Sequence, residues 1–363
     1  MESSTLPQTE ISEILSDLWK LSYQPLGCRN CGQAFLAPAG WTGKMCPHCL
    51  EGALEEQPAR LRREPPELVL PFRREPGELS VVLKTFMRGV WFTPDDFSPA
   101  RLQDRAIPNF WPMWLVDGTV NGAWQAELGF DYQVKSTQES YNSGGWQSRD
   151  VIETRILWEP RLGEIERRYC NLGAPAVSDE ARLSGLIGSS PFEQAQPYQP
   201  ALLKGAALRI PDLSPQETWP RVQTEFNQAA AGECQQAAGG QHLRNFKAQV
   251  HYDQLTWTQM LLPVYITYYL DDQGKRVPVM INGATGQFGG RRIASQRKGL
   301  RWAGVSLLVA LALFVLALLT YAAARTAPNL AAFSPLLWLM GFLATVFAAG
   351  TAAWPLLWNQ SHK

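Results

Sequence analysis

Four cysteines near the beginning of the chain have the type and spacing of ligands for a structural metal ion. Cys28 and Cys31 form one CxxC pair, Cys46 and Cys49 form a second, and fourteen residues separate the two pairs. Two such pairs can surround one tetrahedral Zn²⁺ with four thiolates. A segment of this size buries too little apolar surface to fold alone, and a bound metal supplies the missing stability. The sequence therefore predicts a four-cysteine zinc ribbon over residues 24–57, with one structural zinc ion.

Other interpretations of the cysteines stay open. The four thiols could form disulfides, although a cytoplasmic location would disfavour them. A redox CxxC motif is found in a βαβ setting, which this segment lacks. His48 could replace Cys49 as a ligand, but Cys49 preserves the CxxC spacing, so we expect His48 to be exposed. Cys170 and Cys234 are isolated in the sequence and are expected to be ordinary, partly buried thiols.

The C-terminal part of the chain is apolar enough to cross a membrane. Residues 302–322 and 333–358 carry no charged side chain, and each segment reaches the length that a helix needs to span a bilayer. Aromatic residues, which favour the membrane–water interface, lie near the ends of both segments: Trp302, Tyr321, Trp354 and Trp358. We therefore expect transmembrane helices at 302–322 and 333–358, joined by an external loop (323–332) and followed by a tail (359–363).

Small residues predict that the two helices pack against each other. Gly341, Ala344, Ala348 and Ala352 recur at roughly four-residue spacing, which lets a second helix approach closely. Neither segment contains an ionisable side chain, so a proton or ion pathway through them is not expected. The alternative is an apolar hairpin buried in the core of a soluble protein.

The distribution of charge predicts the orientation of the chain in the membrane. The first 272 residues carry 24 bases against 33 acids, and the last 91 carry nine bases and no acid. Five of those bases lie in a juxtamembrane segment, residues 291–301, whereas the loop has only Arg325. The positive-inside rule then puts both termini in the cytoplasm, at the inner membrane. The N-terminal residues resemble no signal peptide. The basic segment contacts membrane lipid in this interpretation; specific lipid or nucleic-acid binding is the alternative.

Two short segments flank the zinc ribbon. Residues 1–23 contain an amphipathic helix that places Ile11, Ile14, Leu15, Leu18 and Trp19 on one face. We expect this helix to pack on its own protein, with binding to a partner or to a membrane surface as alternatives. Residues 58–66 are rich in Arg and Pro, have little to bury and are expected to form a linker.

Residues 67–290 are expected to fold as an α+β cytoplasmic domain rich in antiparallel strands. Strands are predicted at 109–116, 124–134 and 151–157, and helical or irregular structure at 178–230. The clearest hairpin pattern has strands at 261–270 and 277–281 around a turn at 272–275. The predicted fold class is thus multidomain: a four-cysteine zinc ribbon, this α+β domain and a C-terminal two-helix transmembrane hairpin.

No pattern typical of a catalytic site stands out. The sequence lacks HExxH, GxxxxGK[ST] and GxSxG motifs, and it has only four histidines. Residues 282–286 resemble an anion-binding loop superficially, but a β-turn explains them better. His242 and His251 could meet in space, yet isolated histidines more often have structural surroundings. We therefore predict that the protein is not an enzyme and has no catalytic residues.

Several motifs in order resemble one bacterial family. They are Val69–Phe72, Trp91–Pro94, Pro112–Trp114, Leu202–Gly205, Leu262–Tyr265 and Val279–Gly290, behind a zinc ribbon and before two apolar segments. The chain resembles the bacterial zinc-ribbon membrane proteins often labelled TFIIB-type zinc ribbon-containing protein or, wrongly, primosomal protein N′. The chain differs from that family in its second apolar segment, its acidic N-terminal helix and Ala284. The resemblance implies a non-enzymatic membrane protein, with PspA-type or SPFH-type partners and a role in envelope stress.

Two functions of different classes follow as expectations. The first is a membrane-anchored scaffold or adaptor that holds a cytoplasmic protein partner at the inner membrane. The second is a membrane-tethered nucleic-acid-binding or regulatory protein. Residues 24–57 carry two bases and three acids, and phosphate binding requires a basic surface. The charge therefore favours the first expectation. The sequence leaves the oligomeric state open.

Overall fold

The computed structural model describes residues 8–58, 61–142, 144–179, 190–323 and 333–362. The predicted external loop therefore lies almost entirely outside the described residues. The helices are α1 (Gln8–Glu13), α2 (Leu79–Phe86), α3 (Pro99–Asp104), α4 (Pro215–Ala237), α5 (Gln296–Ala323) and α6 (Phe333–Ser361). The strands are β1 (Tyr23–Cys28), β2 (Ala34–Pro38), β3 (Leu54–Glu56), β4 (Leu68–Val69), β5 (Ile107–Asn142), β6 (Gly145–Pro175), β7 (Gln196–Pro197), β8 (Ala207–Arg209), β9 (His242–Leu270), β10 (Arg276–Asn282) and β11 (Phe288–Gly290).

All of these strands belong to one mixed sheet. Its main path runs β11-β10-β9-β5-β8-β2-β1-β3, with β6 on β5 and with β4 between β7 and β9. Most neighbours are antiparallel, whereas β4–β9 and β5–β8 are parallel. The strands of the four-cysteine segment, residues 24–57, join this sheet through the pairing of β2 with β8. The four-cysteine segment is thus hydrogen-bonded into the large sheet instead of standing apart from it.

Strand β5 is the centre of the sheet and is much longer than the sequence indicated. It pairs with β9 from Ile107 to Gly129 and with β6 from Met113 to Asn142. The three short strands predicted at 109–116, 124–134 and 151–157 are therefore parts of β5 and β6. The sheet accommodates the residues between them in register shifts such as the one between Val116 and Gly118.

Beyond the end of β9, β5 and β6 continue alone as a two-stranded ribbon. We call residues 130–142 and 145–157 the distal ribbon. At about 3.3 Å per residue its strands extend roughly 40 Å past the third strand. Its tip carries Tyr141 and Trp146, which are 71% and 73% exposed and touch edge to face at 5.5 Å. A two-stranded ribbon buries little apolar surface, so it has marginal stability by itself.

Helix α4 covers one face of the three long strands. Ser214 and Glu217 form a capping box at its N-terminus, and Pro215 occupies the first turn. The helix buries a row of residues at four-residue spacing: Thr218, Val222, Phe226, Ala230 and Cys234. Phe226 packs there against Tyr169 and Tyr252. The region 178–230, predicted as helical or irregular, contains most of α4 and short pieces before it; residues 180–189 lie outside the described part.

The hairpin predicted near the end of the soluble part is present. β9 and β10 pair antiparallel, from Val264 opposite Asn282 to Leu270 opposite Arg276. In the turn between them, the Gly274 amide donates to the Asp271 carbonyl. β9 itself begins about twenty residues earlier than expected, at His242. The earlier part was not predicted, although Phe246, Ala248, Val250 and Tyr252 alternate with polar residues; its partner, β5, is distant in sequence.

The N-terminal helix packs on its own protein. Ile11, Ile14, Leu15 and Trp19 are buried in the main core, and the Trp19 indole donates to the Arg63 carbonyl at 3.0 Å. Leu18, which was expected on the same face, is 54% exposed, because α1 passes into a wider π-helical turn at Ile14–Leu18 that rotates this residue outward.

The predicted linker has more to bury than its composition suggested. Leu61 is 5% exposed and belongs to the main core. Arg62 forms an ion pair with Glu67. Together with the Trp19 contact, these interactions hold residues 61–67 against the body.

Helices α5 and α6 pair through small residues at seven-residue spacing. The buried positions are Ala303, Ala310 and Ala317 on α5 and Ser334, Gly341, Ala348 and Pro355 on α6. A Cβ at Gly341 would lie 2.5 Å from the Phe314 ring, so glycine is needed for the close approach. Gly341 and Ala348 were expected at this contact, whereas Ala344 and Ala352 are only half-buried.

Both helices are long and apolar enough to cross a membrane. They have 28 and 29 residues with mean hydropathies of 2.6 and 1.8 over their most apolar windows. Only 22% and 17% of those windows are buried inside the protein. A core helix of a soluble protein would be mostly covered, so these helices present apolar surface to their surroundings.

Candidate metal centre

The first CxxC pair lies at the hairpin between β1 and β2. Cys28 ends β1, and the Gly32 amide donates to the Cys28 carbonyl at 2.8 Å. Gly32 has a φ of +72°, a conformation that favours glycine, and it allows the chain to return after Cys31. The tight turn directs both thiols to the same side of the hairpin.

The second CxxC pair lies in a similar turn that follows Met45. The Leu50 amide donates to the Cys46 carbonyl at 2.9 Å. Two further amides point at sulfur: His48 N lies 3.4 Å from Cys46 Sγ, and Gly52 N lies 3.4 Å from Cys49 Sγ. A Cβ on Gly52 would come within 2.5 Å of Cys28 Sγ, so this position requires a glycine. Backbone amides of this kind stabilise negative charge on the sulfurs.

The two turns bring the four predicted ligands together. Cys28 Sγ lies 3.7 Å from Cys49 Sγ, and Cys31 Sγ lies 3.8 Å from Cys46 Sγ. All four sulfurs are within 4.8 Å of one another. In a tetrahedron with Zn–S bonds of about 2.3 Å, neighbouring sulfurs would be about 3.8 Å apart. The geometry of the cluster fits a metal ion of this kind, and no disulfide joins these cysteines.

The electrostatics of the cluster also favour a bound cation. Burial raises the pKa of Cys31 to about 11 and that of Cys46 further. Burial opposes ionisation of Cys49 as well, but hydrogen bonds from the amides of Gly52 and Glu51 and from the side chains of Asn30 and Cys28 together lower the pKa of Cys49 to about 6. Four thiolates this close together repel one another, so a bound cation is what would keep them all ionised.

A buried arginine connects the four-cysteine segment to the sheet. The Arg209 side chain is 0% exposed, and its guanidinium lies 4.5 Å from the centre of the Trp111 ring. Arg209 Nη2 donates to Gln33 Oε1 at 2.7 Å and pairs with Asp179 Oδ1 at 2.6 Å. A buried charge is tolerated only when it is paired and hydrogen-bonded in this way. These contacts join the turn of the first CxxC pair to β5 and β8.

His48 belongs to the same network and is not exposed as expected. Its side chain is 16% exposed, and Nε2 lies 2.7 Å from Asp179 Oδ2. Burial alone would raise the pKa of Asp179, but hydrogen bonds from His48 and Arg209 hold it well below its usual range. One signal of this network is present in the sequence: Arg209 is the only charged residue in an apolar run, residues 205–211.

The other residues considered in the sequence do not assemble into a second site. His242 pairs with Asp131 on the surface, and His251 is nine residues further along the same strand, roughly 30 Å away at strand rise. The loop at 282–286 is a turn whose amides at Ala284 and Thr285 donate to Asn282 Oδ1. Cys170 is exposed and Cys234 is buried, and neither lies in the four-cysteine cluster.

Comparisons with known proteins add no relative. No protein-family model matches the chain, and no curated protein or solved structure matches it.

Removing the buried arginine is expected to destabilise the fold strongly. Arg209→Leu leaves the Asp179 carboxylate without its guanidinium partner, which should lower the free energy of unfolding by about 3–5 kcal/mol. The matched control is Arg63→Leu, because Arg63 is 70% exposed and pairs with Glu10 on the surface. That change should lower the free energy of unfolding by less than about 1 kcal/mol. Chemical denaturation followed by tryptophan fluorescence measures both, and equal losses would contradict this assignment.

Proposed function

We propose that this protein is a membrane-anchored, zinc-stabilised scaffold or adaptor that holds a cytoplasmic protein partner at the inner membrane and catalyses no reaction. In this proposal α5 and α6 cross the membrane as a hairpin, both termini are cytoplasmic, and the sheet with its distal ribbon is the part that meets the partner. Cys28, Cys31, Cys46 and Cys49 hold one structural zinc ion.

The observation that carries the proposal is the fixed connection between the apolar helix pair and the body. The Trp358 indole donates to the Arg292 carbonyl at 3.0 Å, and the Asn359 side chain exchanges two hydrogen bonds with the backbone of Ala294. The Ser295 amide donates to the Phe92 carbonyl at 2.6 Å. With these contacts at its base, the helix pair serves as a rigid support for the sheet and not as a tether on a loose chain.

Residues around the base are suited to a membrane–water interface. Trp91 is 73% exposed and stacks on Trp354 at 5.5 Å, and Trp354 stacks on Trp358 at 5.2 Å. Indole rings favour the headgroup region of a bilayer. Arg297 and Arg301 are exposed on the first turns of α5, where they can contact lipid headgroups. These features support the orientation with the body on the cytoplasmic side.

The shape of the sheet supports a scaffolding role. The first residues of β5 pair with the end of β9, whose Tyr269 hydroxyl donates to the Arg291 carbonyl near the helix base. The 36-residue strand spans roughly 110–120 Å at strand rise. Its far end exposes the rings of Tyr141 and Trp146. Such surfaces on a projecting element are typical of protein contacts. On the four-cysteine segment, Arg29 pairs with Glu55, which leaves little basic surface for nucleic acid.

Zinc content tests the metal proposal. We expect one zinc per chain in reduced protein, and Cys31→Ser should lose it because three thiolates leave the tetrahedron incomplete. The variant should be digested faster by protease in residues 24–57 but should still fractionate with membranes. Cys170→Ser, at an exposed thiol outside the cluster, is the matched control and should retain the metal. Elemental analysis that finds no zinc in the reduced parent protein would refute the proposal.

Reporter fusions test the topology. A reporter fused after Lys363 should be active in the cytoplasm, and one inserted at Pro328 should be active outside, because five bases precede the first apolar segment against one in the loop. A reporter inserted in the exposed turn at Gln273 serves as a cytoplasmic control. Cytoplasmic activity from position 328 would show that the chain does not cross twice.

Site-specific photocrosslinking tests the adaptor role. Deleting residues 1–57 would be a poor test, since Trp19 and Leu36 belong to the main core. A photoreactive residue in place of Trp146, at the tip of the distal ribbon, should instead give an adduct with another protein in intact cells. The same residue in place of Gln273, exposed near the helix base, should not give that adduct. If neither position captures a protein other than this chain, the distal ribbon is not the adaptor surface.

A further inference from the structure

Strand β6 is an edge strand along its whole length in the described part of the chain. It pairs with β5 on one side and with no strand on the other. Its ladder with β5 is regular from Gly145 to Tyr169 and shifts register only beyond that point. Leu157 is the midpoint of this regular stretch. An open edge of this length can bind another strand through its backbone.

Hydrogen bonds at the end of β9 show which residues of β6 face the open edge. The Gly129 carbonyl accepts from Gln241 N at 3.0 Å, and the Asp131 amide donates to Gln241 Oε1 at 2.8 Å, so both point away from β6. Their partners in β6 are Trp158 and Ile156. In an antiparallel ladder, the backbone groups of these partners then point outward. Even-numbered residues of β6 between 146 and 168 therefore offer their backbone groups to a new strand.

The side chains of this edge are complementary to themselves. On one face the order is Glu153, Arg155, Leu157, Glu159, Arg161, and the charged side chains are 41–56% exposed. In a second β6 strand, antiparallel and centred on Leu157, each glutamate stands opposite an arginine. Glu153 faces Arg161 of the second copy, and Arg155 faces Glu159. Opposite charges placed directly across two strands stabilise the pairing.

The other face of the same edge is apolar and equally symmetric. In this register Ile152 faces Leu162 of the second copy, and Ile156 faces Trp158. Ile152 is 61% exposed and Leu162 is 80% exposed. Both are poorly covered in the single chain, and pairing would cover part of their apolar surface. We propose that the protein forms a two-fold symmetric dimer in which the β6 edges of two copies pair antiparallel about Leu157.

Two features of the edge oppose this pairing, but more contacts favour it. Pro160 has no N–H and faces outward, so the Thr154 carbonyl of the second copy lacks one donor. Asp150 stands opposite Glu164 of the second copy, a like-charge pair toward each end of the contact. Against these stand the four Glu–Arg pairs at the centre and the mutual backbone bonds of Ile156 and Trp158. The antiparallel arrangement places the two helix pairs at opposite ends of the paired sheets, so the paired sheets lie along the membrane when both helix pairs cross it.

Disulfide trapping of the full-length chain tests the dimer and its register. Leu157→Cys, in a Cys170→Ser background that removes the exposed native thiol, should form a reducible dimer under mild oxidation, because the two Cβ atoms would be about 5 Å apart. Leu162→Cys in the same background should give no dimer. A mixture of the Leu162→Cys and Ile152→Cys chains should give a mixed disulfide-linked dimer. Equal trapping at positions 157 and 162 would indicate random collision and overturn the proposal.

Charge exchange supplies a second test, which is read out by the same disulfide at the Leu157–Leu157 position. In the Leu157→Cys background, Glu153→Arg with Glu159→Arg should abolish the trapped dimer, because four arginines then face four arginines. Arg155→Glu with Arg161→Glu should abolish it as well. Mixing the two variants should restore a mixed dimer, which also shows that both have folded. Circular dichroism shows whether each variant keeps the parent's fold. If both variants keep it and the mixture still does not pair, the assigned register is overturned. In that case the edge is open to a strand of another protein.

Discussion

The pairing of β5 with its neighbours is the constraint on which the rest of the structure depends. Each backbone amide of a buried strand requires a partner, and β5 obtains them from β9 on one side and from β8 and β6 on the other. Where all three long strands are present, α4 covers one face and a core forms. Where β9 ends, the distal ribbon keeps an open edge on each side. The proposed partner contact uses this distal ribbon, whereas the proposed dimer uses the edge of β6, which is open along its whole length in the described part of the chain.

A buried charge decides how the four-cysteine segment relates to the sheet. A metal ion can stabilise the two CxxC turns locally, but it does not orient them relative to β5. Arg209 does so, because its guanidinium has no access to water and must take its partners from Gln33, Asp179 and the Trp111 ring. The segment thereby becomes a part of the body. Loss of the metal should therefore weaken the neighbouring sheet as well as the cysteine turns.

The helix base has the corresponding role at the other end. Small residues at seven-residue spacing bring α5 and α6 together, and polar side chains near the end of α6 bind the backbone just before α5. Since hydrogen bonds to backbone groups allow little rotation, the orientation of the sheet is set relative to the helix pair. A support of this kind suits a protein that presents a surface in a defined orientation.

The sequence by itself determined the features that depend on neighbours in the chain. The cysteine spacing identified the four sulfurs that meet, the apolar runs identified α5 and α6, and the pattern near residues 261–281 identified the hairpin of β9 and β10. Only the tertiary structure decided what depends on distant partners. The first part of β5 is held by β9, a strand more than a hundred residues away, and His48 is covered because Asp179 and Trp111 come to it from elsewhere in the sequence. Periodicity reports which face of a segment is apolar, whereas the identity of the neighbour on that face is set by the fold as a whole.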